Sequence, residues 1–316
     1  MRIYRSVEEV PANFGPCALT IGNFDGVHVG HRAILELLTS FAGSHRLKPS
    51  ALTFDPHPTQ IVAPARAPKL MMTPAERCCR MGDAGIEQAL ILPFDVETAS
   101  WTPEQFADRI LQSALGASTI FVGDNFRFGH RQSGDVGVLR ELGRSRGFTV
   151  EAVPAVTLDG TVVSSSAIRT AIEAGALRPA RRMLGRPFAL SGSVVSGHGI
   201  GSKQAVPTLN LAPDSQLMPA SGVYVTRTTE LDGGRRWPSV SNAGTRPTFD
   251  GDTFVIETFL LSELKGDSPR RIQVEFLHRL RDERKFPSPA ELKQQILRDA
   301  AHASRLHQKL EWKRSL

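Results

Sequence analysis

The pattern of apolar residues changes near residue 185, and this change constrains the fold more than any other feature of the 316-residue chain. Before it, short apolar runs alternate with helix-start signals such as TPAE at 73–76 and TPEQ at 102–105. Each signal offers a capping threonine, a proline at the first helical position and an acid or amide at the third. Apolar strands alternating with capped helices predict an α/β domain with a parallel sheet, with strands at 18–21, 51–54, 89–92, 119–122 and 148–153.

The second half has the pattern of antiparallel β-structure. Gly and Pro are frequent, and apolar and polar residues alternate with a period of two in four runs, 188–195, 223–228, 254–260 and 272–276. A final helix starts at the signal Ser288, Pro289 and Glu291. These features predict a small antiparallel β-barrel with a C-terminal helix packed on it.

The segment between the two patterns predicts one helix over 167–183, which ends in a basic run. We therefore place the domain boundary after residue 184, giving domains 1–184 and 185–316. At this length two domains with ample cores are expected.

Composition narrows the class of partner and compartment. The 38 basic and 32 acidic residues leave a net charge of +6, collected mainly in 178–186 and the C-terminal tail. We expect small anionic substrates rather than a nucleic acid. With no run of about 18 apolar residues, no signal-peptide core and three cysteines that form no disulfide framework, the sequence predicts a cytoplasmic protein without a membrane partner. It predicts no particular oligomeric state.

Residues 20–31, TIGNFDGVHVGH, join an apolar strand to a predicted helix. Three glycines let the backbone approach a ligand, and free N–H groups at a helix start attract anions. His28 and His31 are three residues apart, so both imidazoles face the same side of a helical first turn. The run indicates a phosphate-binding site in which two imidazoles take part.

Two other interpretations of these histidines exist. Histidines near a helix start can act as polar capping residues only. A zinc site would need further ligands, but Cys78 and Cys79 are adjacent in sequence and lack ligand spacing. The glycines and the strand-to-helix context favour the phosphate site.

Three further polar clusters follow predicted strands, where parallel sheets bind their ligands. They are TFDPHP at 53–58, GDNFRFG at 123–129 and SSSAIR at 164–169. The second suits a planar ligand with a phosphate, although Phe126 and Phe128 can equally be residues at the edge of the core. The third offers hydroxyls and N–H groups to phosphate oxygens, unless its serines only cap the helix.

Together these clusters resemble the N-terminal half of the prokaryotic bifunctional riboflavin kinase/FMN adenylyltransferase (FAD synthetase) family. The resemblance implies a Rossmann-like nucleotidyltransferase domain in which an FMN phosphate oxygen attacks the α-phosphorus of ATP and pyrophosphate leaves. It implies that His28 and His31 are catalytic and that Asn125 and Arg127 bind flavin. It also implies a larger set of nucleotide- and phosphate-binding residues: Gly22, Asn23, Phe24, Asp25, Gly30, Ser164, Ser165 and Arg169.

A glycine-rich turn of the second half precedes the run PTLN at 207–210. Alone, such a turn is weak evidence, because flexible hairpin tips look the same. The resemblance implies that its glycines, Gly197, Gly199 and Gly201, bind ATP phosphates. It also implies that Thr208 and Asn210 hold Mg²⁺, whose preferred ligands are hard oxygens.

Glu257 lies in an alternating strand, and the pattern alone favours a solvent-facing residue. The resemblance instead implies that Glu257 is the base that activates the ribityl hydroxyl of riboflavin, and that Arg281 belongs to the flavin side. The expected cofactor is Mg²⁺, and the expected substrates and products are ATP, riboflavin, FMN and FAD.

The second half departs from the family pattern at three places, which are residues 204–206, Phe259 and residues 266–270. We expect both reactions, with altered handling of the kinase substrates; the alternative is FMN adenylylation alone beside a weak or inactive kinase. Two rival hypotheses are another nucleotidyltransferase with an unrelated β appendage, which leaves Glu257 unexplained, and a non-catalytic flavin- or RNA-binding regulator.

Overall fold

The computed structural model describes residues 1–195, 208–248 and 251–312, and the chain packs into two compact units, Met1–Ser165 and Ser166–Leu316. The two units divide after Ser165, whereas the sequence predicts that the boundary between the functional domains follows residue 184. That functional boundary stays a prediction.

The first unit is an α/β unit. Its elements are β1 (Arg2–Tyr4), β2 (Cys17–Ile21), α1 (Val29–His45), β3 (Lys48–Asp55), α2 (Pro58–Val62), a 3₁₀ turn (Pro64–Arg66), α3 (Pro74–Asp83), β4 (Gln88–Pro93), α4 (Val96–Ser100), α5 (Pro103–Phe106) with a π-helical continuation (Ala107–Ala114), β5 (Ala117–Gly123), a second 3₁₀ turn (His130–Gln132), α6 (Val136–Arg146), β6 (Thr149–Val153), β7 (Thr157–Leu158) and β8 (Thr161–Val162).

Six of these strands form one parallel sheet in the order β1-β4-β3-β2-β5-β6. All five residues of β2 are buried, and they alternate between the cores on the two faces of the sheet. The predicted parallel α/β fold is confirmed. Strand β1 was not predicted, because three largely exposed residues carry no apolar pattern.

The second unit begins with helices and continues as β-structure. Its elements are α7 (Ser165–Glu173, starting at the junction), α8 (Leu177–Leu184), β9 (Phe188–Val195), β10 (Thr208–Pro213), β11 (Gly222–Glu230), β12 (Arg236–Thr248), β13 (Gly251–Leu260), β14 (Arg271–Arg281) and α9 (Pro289–Trp312).

The described strands of this unit close into an antiparallel barrel in the order β10-β13-β12-β11-β14-β9, as predicted. Strands β10 and β12 were not among the four predicted. In β12 the inward residues Ser239 and Ser241 are fully buried, so the expected alternation of apolar and polar residues is absent. Their hydroxyls bond to Thr226, Thr228 and Thr258 at 2.8–2.9 Å, which satisfies these polar groups inside the barrel.

The single helix predicted over 167–183 is wrong, because the structure has two helices there. Gly175 ends α7 with a left-handed φ of 70°, a conformation that glycine adopts at little cost. Its N–H donates to Ile172 O at 2.9 Å, and Pro179 then lies in the first turn of α8, where proline is tolerated.

The C-terminal helix starts where its signal predicts. Ser288 Oγ accepts from Glu291 N at 3.3 Å, and the helix packs through Ala303 and Leu306 against Val225 and Val240 of the barrel. Among the residues that the structure describes, no helix is both long enough and apolar enough to cross a membrane.

Candidate active sites

Three predicted clusters meet at the carboxyl edge of the parallel sheet. They follow β2, which ends at Ile21, β3, which ends at Asp55, and β5, which ends at Gly123. The strand order reverses between β2 and β5, since the chain runs from β2 to β3 and β4 on one side and to β5 and β6 on the other. Ligands of open α/β sheets bind at such a reversal.

The two histidines of the first cluster lie against each other at the start of α1. Their rings are stacked, with centroids 3.6 Å apart and planes 15° apart. His28 is the N-cap of α1, and its Nδ1 accepts from His31 N at 3.3 Å. Because Nδ1 accepts, the proton of a neutral His28 ring is on Nε2, which can donate to an anion. His28 therefore does act as a capping residue. The same hydrogen bond also determines which ring nitrogen carries the proton of a neutral His28.

The loop before α1 has a strained backbone. Gly26 has a φ of 87°, which glycine tolerates, but Phe24 (48°) and Val27 (37°) are also left-handed. For a β-branched residue such a φ is unfavourable and persists only when the surroundings enforce it. Phe24 and Val27 are 1% and 2% exposed within the core beside α1, so burial holds the loop in shape.

Gly30 lies close to the imidazole of His28. A Cβ at this position would be 3.2 Å from both Cε1 and Nδ1 of His28, tighter than an ordinary contact. The glycine therefore makes room for a ring whose position is already set by its capping hydrogen bond.

Asp25 and Ser165 brace the same loop. The buried Asp25 carboxylate accepts from Met71 N at 3.0 and 3.2 Å, and Ser165 Oγ donates to the Asp25 carbonyl at 2.8 Å. Ser164 is half-buried just before α7, and Arg169 is half-buried within that helix. Ser165, the last residue of the first unit, is thus tied directly to the histidine loop.

Sequence reasoning missed Arg77, which is only 3% exposed. It follows the helix-start signal at 73–76 and carries no pattern of its own. Its Nη1 donates to Asn23 O at 2.6 Å, Thr53 Oγ1 at 3.0 Å and Phe54 O at 3.3 Å. Burial lowers the pKa of the Arg77 guanidinium, and the charge of Asp25 opposes that shift.

The cluster after β5 presents two exposed polar residues beside two rings. Asn125 is exposed, and Arg127 pairs with Asp135 at 3.3 Å. Phe126 and Phe128 are stacked with centroids 5.5 Å apart; Phe128 is buried in the core and Phe126 packs against it. The two rings are therefore edge-of-core residues, the second of the two interpretations given above.

In the barrel, Glu257 lies in the middle of a row of polar residues on three neighbouring strands. Its Cα partners are Asn210 on β10 and Asn242 on β12. Directly paired residues point to the same face of a sheet, and all three are half-buried while Ile256 and Thr258 are buried. Glu257 is thus neither fully solvated nor part of the barrel core.

Thr208 lies at the start of β10, and Asn210 follows two residues later. The Thr208 hydroxyl is buried without a hydrogen-bond partner in the part of the chain that the structure describes. Within residues 1–195, 208–248 and 251–312, no cluster of three or more His, Cys, Asp and Glu side chains could hold a metal. Gly197, Gly199 and Gly201 lie outside the described residues.

The segment after β14 reaches back to this row. Asn242 Nδ2 donates to Glu283 Oε1 at 3.1 Å, and the carboxylate occupies the space over Gly244, where a Cβ would be 2.3 Å from Oε2. Arg281 donates from Nε and Nη2 to Asp299 of α9 at 3.0 and 2.8 Å. Arg281, predicted to bind flavin, therefore also anchors this segment to α9.

Two of the three departures from the family pattern lie within the described residues. Phe259 is paired with Thr208 and Val240, two residues from Glu257 on the same face of β13. Residues 266–270 form a turn that Arg235 holds by donating from Nη2 to Asp267 O at 2.8 Å. Residues 204–206 lie outside the described part.

Comparisons with known proteins match both halves of the chain. The FAD synthetase family model matches residues 10–167, and the riboflavin kinase family model matches residues 184–307. The bifunctional riboflavin kinase/FMN adenylyltransferase of Pseudomonas fluorescens is 37% identical over 307 residues, 97% of this chain and 98% of that relative. The protein of the same name from Escherichia coli K12 is 36% identical, with 90% of each chain covered.

A solved structure has the same architecture along almost the whole chain. A macrolide-efflux protein from Streptococcus pneumoniae matches with a TM-score of 0.83 and 26% identity, over 96% of this chain and 98% of that one. The riboflavin kinase match over 184–307 excludes an unrelated β appendage. Both domain matches and the near-complete coverage confirm the resemblance drawn from the motifs. This chain belongs to the bifunctional riboflavin kinase/FMN adenylyltransferase family.

Proposed function

We propose that the chain makes FAD from riboflavin in two steps. The C-terminal domain, from residue 185, transfers the γ-phosphoryl group of ATP to riboflavin and forms FMN and ADP. The N-terminal domain, residues 1–184, transfers the adenylyl group of a second ATP to FMN and forms FAD and pyrophosphate. The match of both family models over most of the chain carries the two-step proposal, and the stacked, capped histidine pair at the strand-order reversal supports its adenylyl-transfer step.

In the adenylyl transfer, an FMN phosphate oxygen attacks the α-phosphorus while the bond to the β-phosphate oxygen breaks. Charge grows on the departing pyrophosphate, so donors fixed before the reaction stabilise the transition state most. His28 Nε2 and the His31 ring supply such donors, and the start of α1 adds its N–H groups. Ser164, Ser165 and Arg169 would bind phosphate oxygens, and Asn125 and Arg127 would bind the flavin nucleotide.

In the kinase reaction, Glu257 takes the proton of the ribityl hydroxyl as the oxygen attacks the γ-phosphorus and the bond to ADP breaks. Asn242 Nδ2 donates to Glu283 Oε1. The Oδ1 atom of the same Asn242 amide therefore faces the opposite direction and can accept from a substrate hydroxyl. Phe259 gives the same face an apolar neighbour, and Arg281 would approach the flavin.

The residues at the start of β10 fit a magnesium ion. The Thr208 hydroxyl, which is buried and has no hydrogen-bond partner among the described residues, and the Asn210 amide beside Glu257 offer oxygen ligands. Mg²⁺ in nucleotide sites takes few protein ligands besides phosphates. When bound with ATP, Mg²⁺ neutralises charge on the phosphates. We expect T208A to raise the Mg²⁺ concentration that half-saturates FMN formation.

Both reactions use ATP and small-molecule substrates, and we propose the cytoplasm as their compartment.

The test is to incubate the full chain with riboflavin, ATP and Mg²⁺ and to separate the flavins by chromatography. FMN together with FAD supports both activities. FAD formed only from supplied FMN supports the alternative, adenylylation beside an inactive kinase. No flavin product contradicts the proposal and favours a non-catalytic role.

A further inference from the structure

We propose that Arg77 is a positioning residue for adenylyl transfer: its guanidinium joins the histidine loop to the end of β3 and so sets where His28 and His31 stand. This inference rests on the proposed adenylyl transfer. Arg77 belongs to α3 and lies outside every motif of the sequence.

The hydrogen bonds of Arg77 connect two segments that are far apart in the chain, since Asn23 and Thr53 are separated by 30 positions. The Nη1 atom of Arg77 donates to Asn23 O in the loop after β2. It also donates to Thr53 Oγ1 and Phe54 O at the end of β3. Hydrogen bonds from a charged donor are stronger than neutral ones. Thr53 Oγ1 also donates to Asn23 O at 3.4 Å, so Arg77 adds shorter, charged hydrogen bonds to a direct connection between the two clusters.

The anchored carbonyl is next to one of the two left-handed non-glycine residues of the loop. Asn23 directly precedes Phe24, whose φ is 48°, and the Asp25 carboxylate that follows is held by Met71 N. The left-handed peptide is thus fastened on both sides. Without the Arg77 bond, we expect the backbone to relax toward ordinary dihedral angles and to carry the start of α1 with it.

The buried charge itself indicates a task that an apolar residue could not perform. At 3% exposure the guanidinium gives up most of its hydration, and Asp25, Cys78 and Asp55 oppose the lowering of its pKa by burial. An apolar side chain of similar volume would fill the space at no such cost. It would leave Asn23 O and Phe54 O without this donor. Because so little of Arg77 is exposed, it acts through the loop and does not touch substrate.

The experiment measures FMN-to-FAD and riboflavin-to-FMN conversion in the same samples of full-length R77M, R77K and T53V. We expect R77M to lower kcat of adenylylation about 100-fold, the cost of a misplacement near 1 Å, with the KM for ATP and the kinase rate little changed. R77K should recover part of the loss, because its ammonium can donate to some of the same oxygens. T53V removes one of the three acceptors of Arg77 and also the hydrogen bond that Thr53 Oγ1 donates to Asn23 O at 3.4 Å, and its loss should still be smaller than that of R77M.

The matched control is R80M, since Arg80 is on the same helix but is only half-buried and pairs with Asp83. It should match the wild type in both reactions. An R77M variant with normal kcat, or with a raised KM for ATP alone, overturns the role of Arg77. If R77M loses both activities by misfolding, R77K decides: a normal kcat of adenylylation in R77K overturns the role of Arg77, and a lowered kcat with an intact kinase rate supports it.

The wild-type chain separates failure of this inference from failure of the proposed function. Wild-type protein that forms no FAD from FMN contradicts the adenylyl transfer and with it the role of Arg77. Wild-type protein that forms FAD beside an equally active R77M contradicts only the role of Arg77.

Discussion

The two candidate sites are built from different parts of their units. The histidine site is built on loops after strands, and its shape depends on a cap, left-handed residues and buried side chains from distant segments. The Glu257 site is built within strands, where pairing register places Asn210 and Asn242 beside the glutamate. The geometry of a loop site depends on a few contacts, whereas the geometry of a strand site is maintained by all the hydrogen bonds between the paired strands. Single changes near the reacting groups should therefore be tolerated differently in the two.

The largest effect is expected for a change that lowers one activity and leaves the other unchanged. E257Q keeps the shape of Glu257 but removes the proposed proton acceptor, and it should lower riboflavin phosphorylation by about 10²–10⁴-fold. FMN-to-FAD conversion by the same sample should be unchanged, and flavin chromatography measures both. Loss of both conversions would contradict two independent sites.

The reciprocal change is H31A, which should lower adenylyl transfer by about 10²–10³-fold, the usual cost of losing one preorganised donor. The kinase rate serves as the internal reference. H45A is the matched control, because His45 ends the same helix and is exposed. Near-normal FAD formation by H31A would contradict the catalytic assignment.

A smaller effect tests how tightly the loop site is packed. In G30A the new Cβ would be 3.2 Å from a ring that is held by its cap, so the ring must shift by a few tenths of an ångström. We expect adenylyl transfer to fall about tenfold. G43A adds the same methyl group to α1 in open space and should leave kcat unchanged. Equal rates for G30A and the wild type would mean that the His28 position is not critical.

The smallest effect is expected for the corresponding change in the strand site. In G244A the new Cβ would meet the Glu283 carboxylate, at 2.3 Å, but Glu283 is exposed and its flexible end can move away. The pairing of β12 with β13 stays, so riboflavin phosphorylation should change only slightly in a steady-state assay. A loss as large as that of E257Q would show that Glu283 belongs to the reacting centre and would remove the contrast between the sites.

The fold followed from the sequence wherever side-chain burial followed a simple period. The parallel strands and the helix starts at 73 and 102 are where apolar runs and capping signals place them. Strand β12 was missed because the barrel core beside it is filled by hydroxyls, and only contacts between strands make buried serines favourable. The break at Gly175 was missed because a glycine in a helical pattern is compatible with continuation as well as with an end.

The sequence alone determined the family of the protein and predicted the chemistry of its candidate groups, because motifs are local and keep their residues in order. It also determined the two architectures, since periodicity reports which face of an element is buried. Only the tertiary structure decided that Glu257 lies between two asparagines and that Arg77 holds the histidine loop. Those facts depend on contacts between residues far apart in the chain, and no local pattern records them.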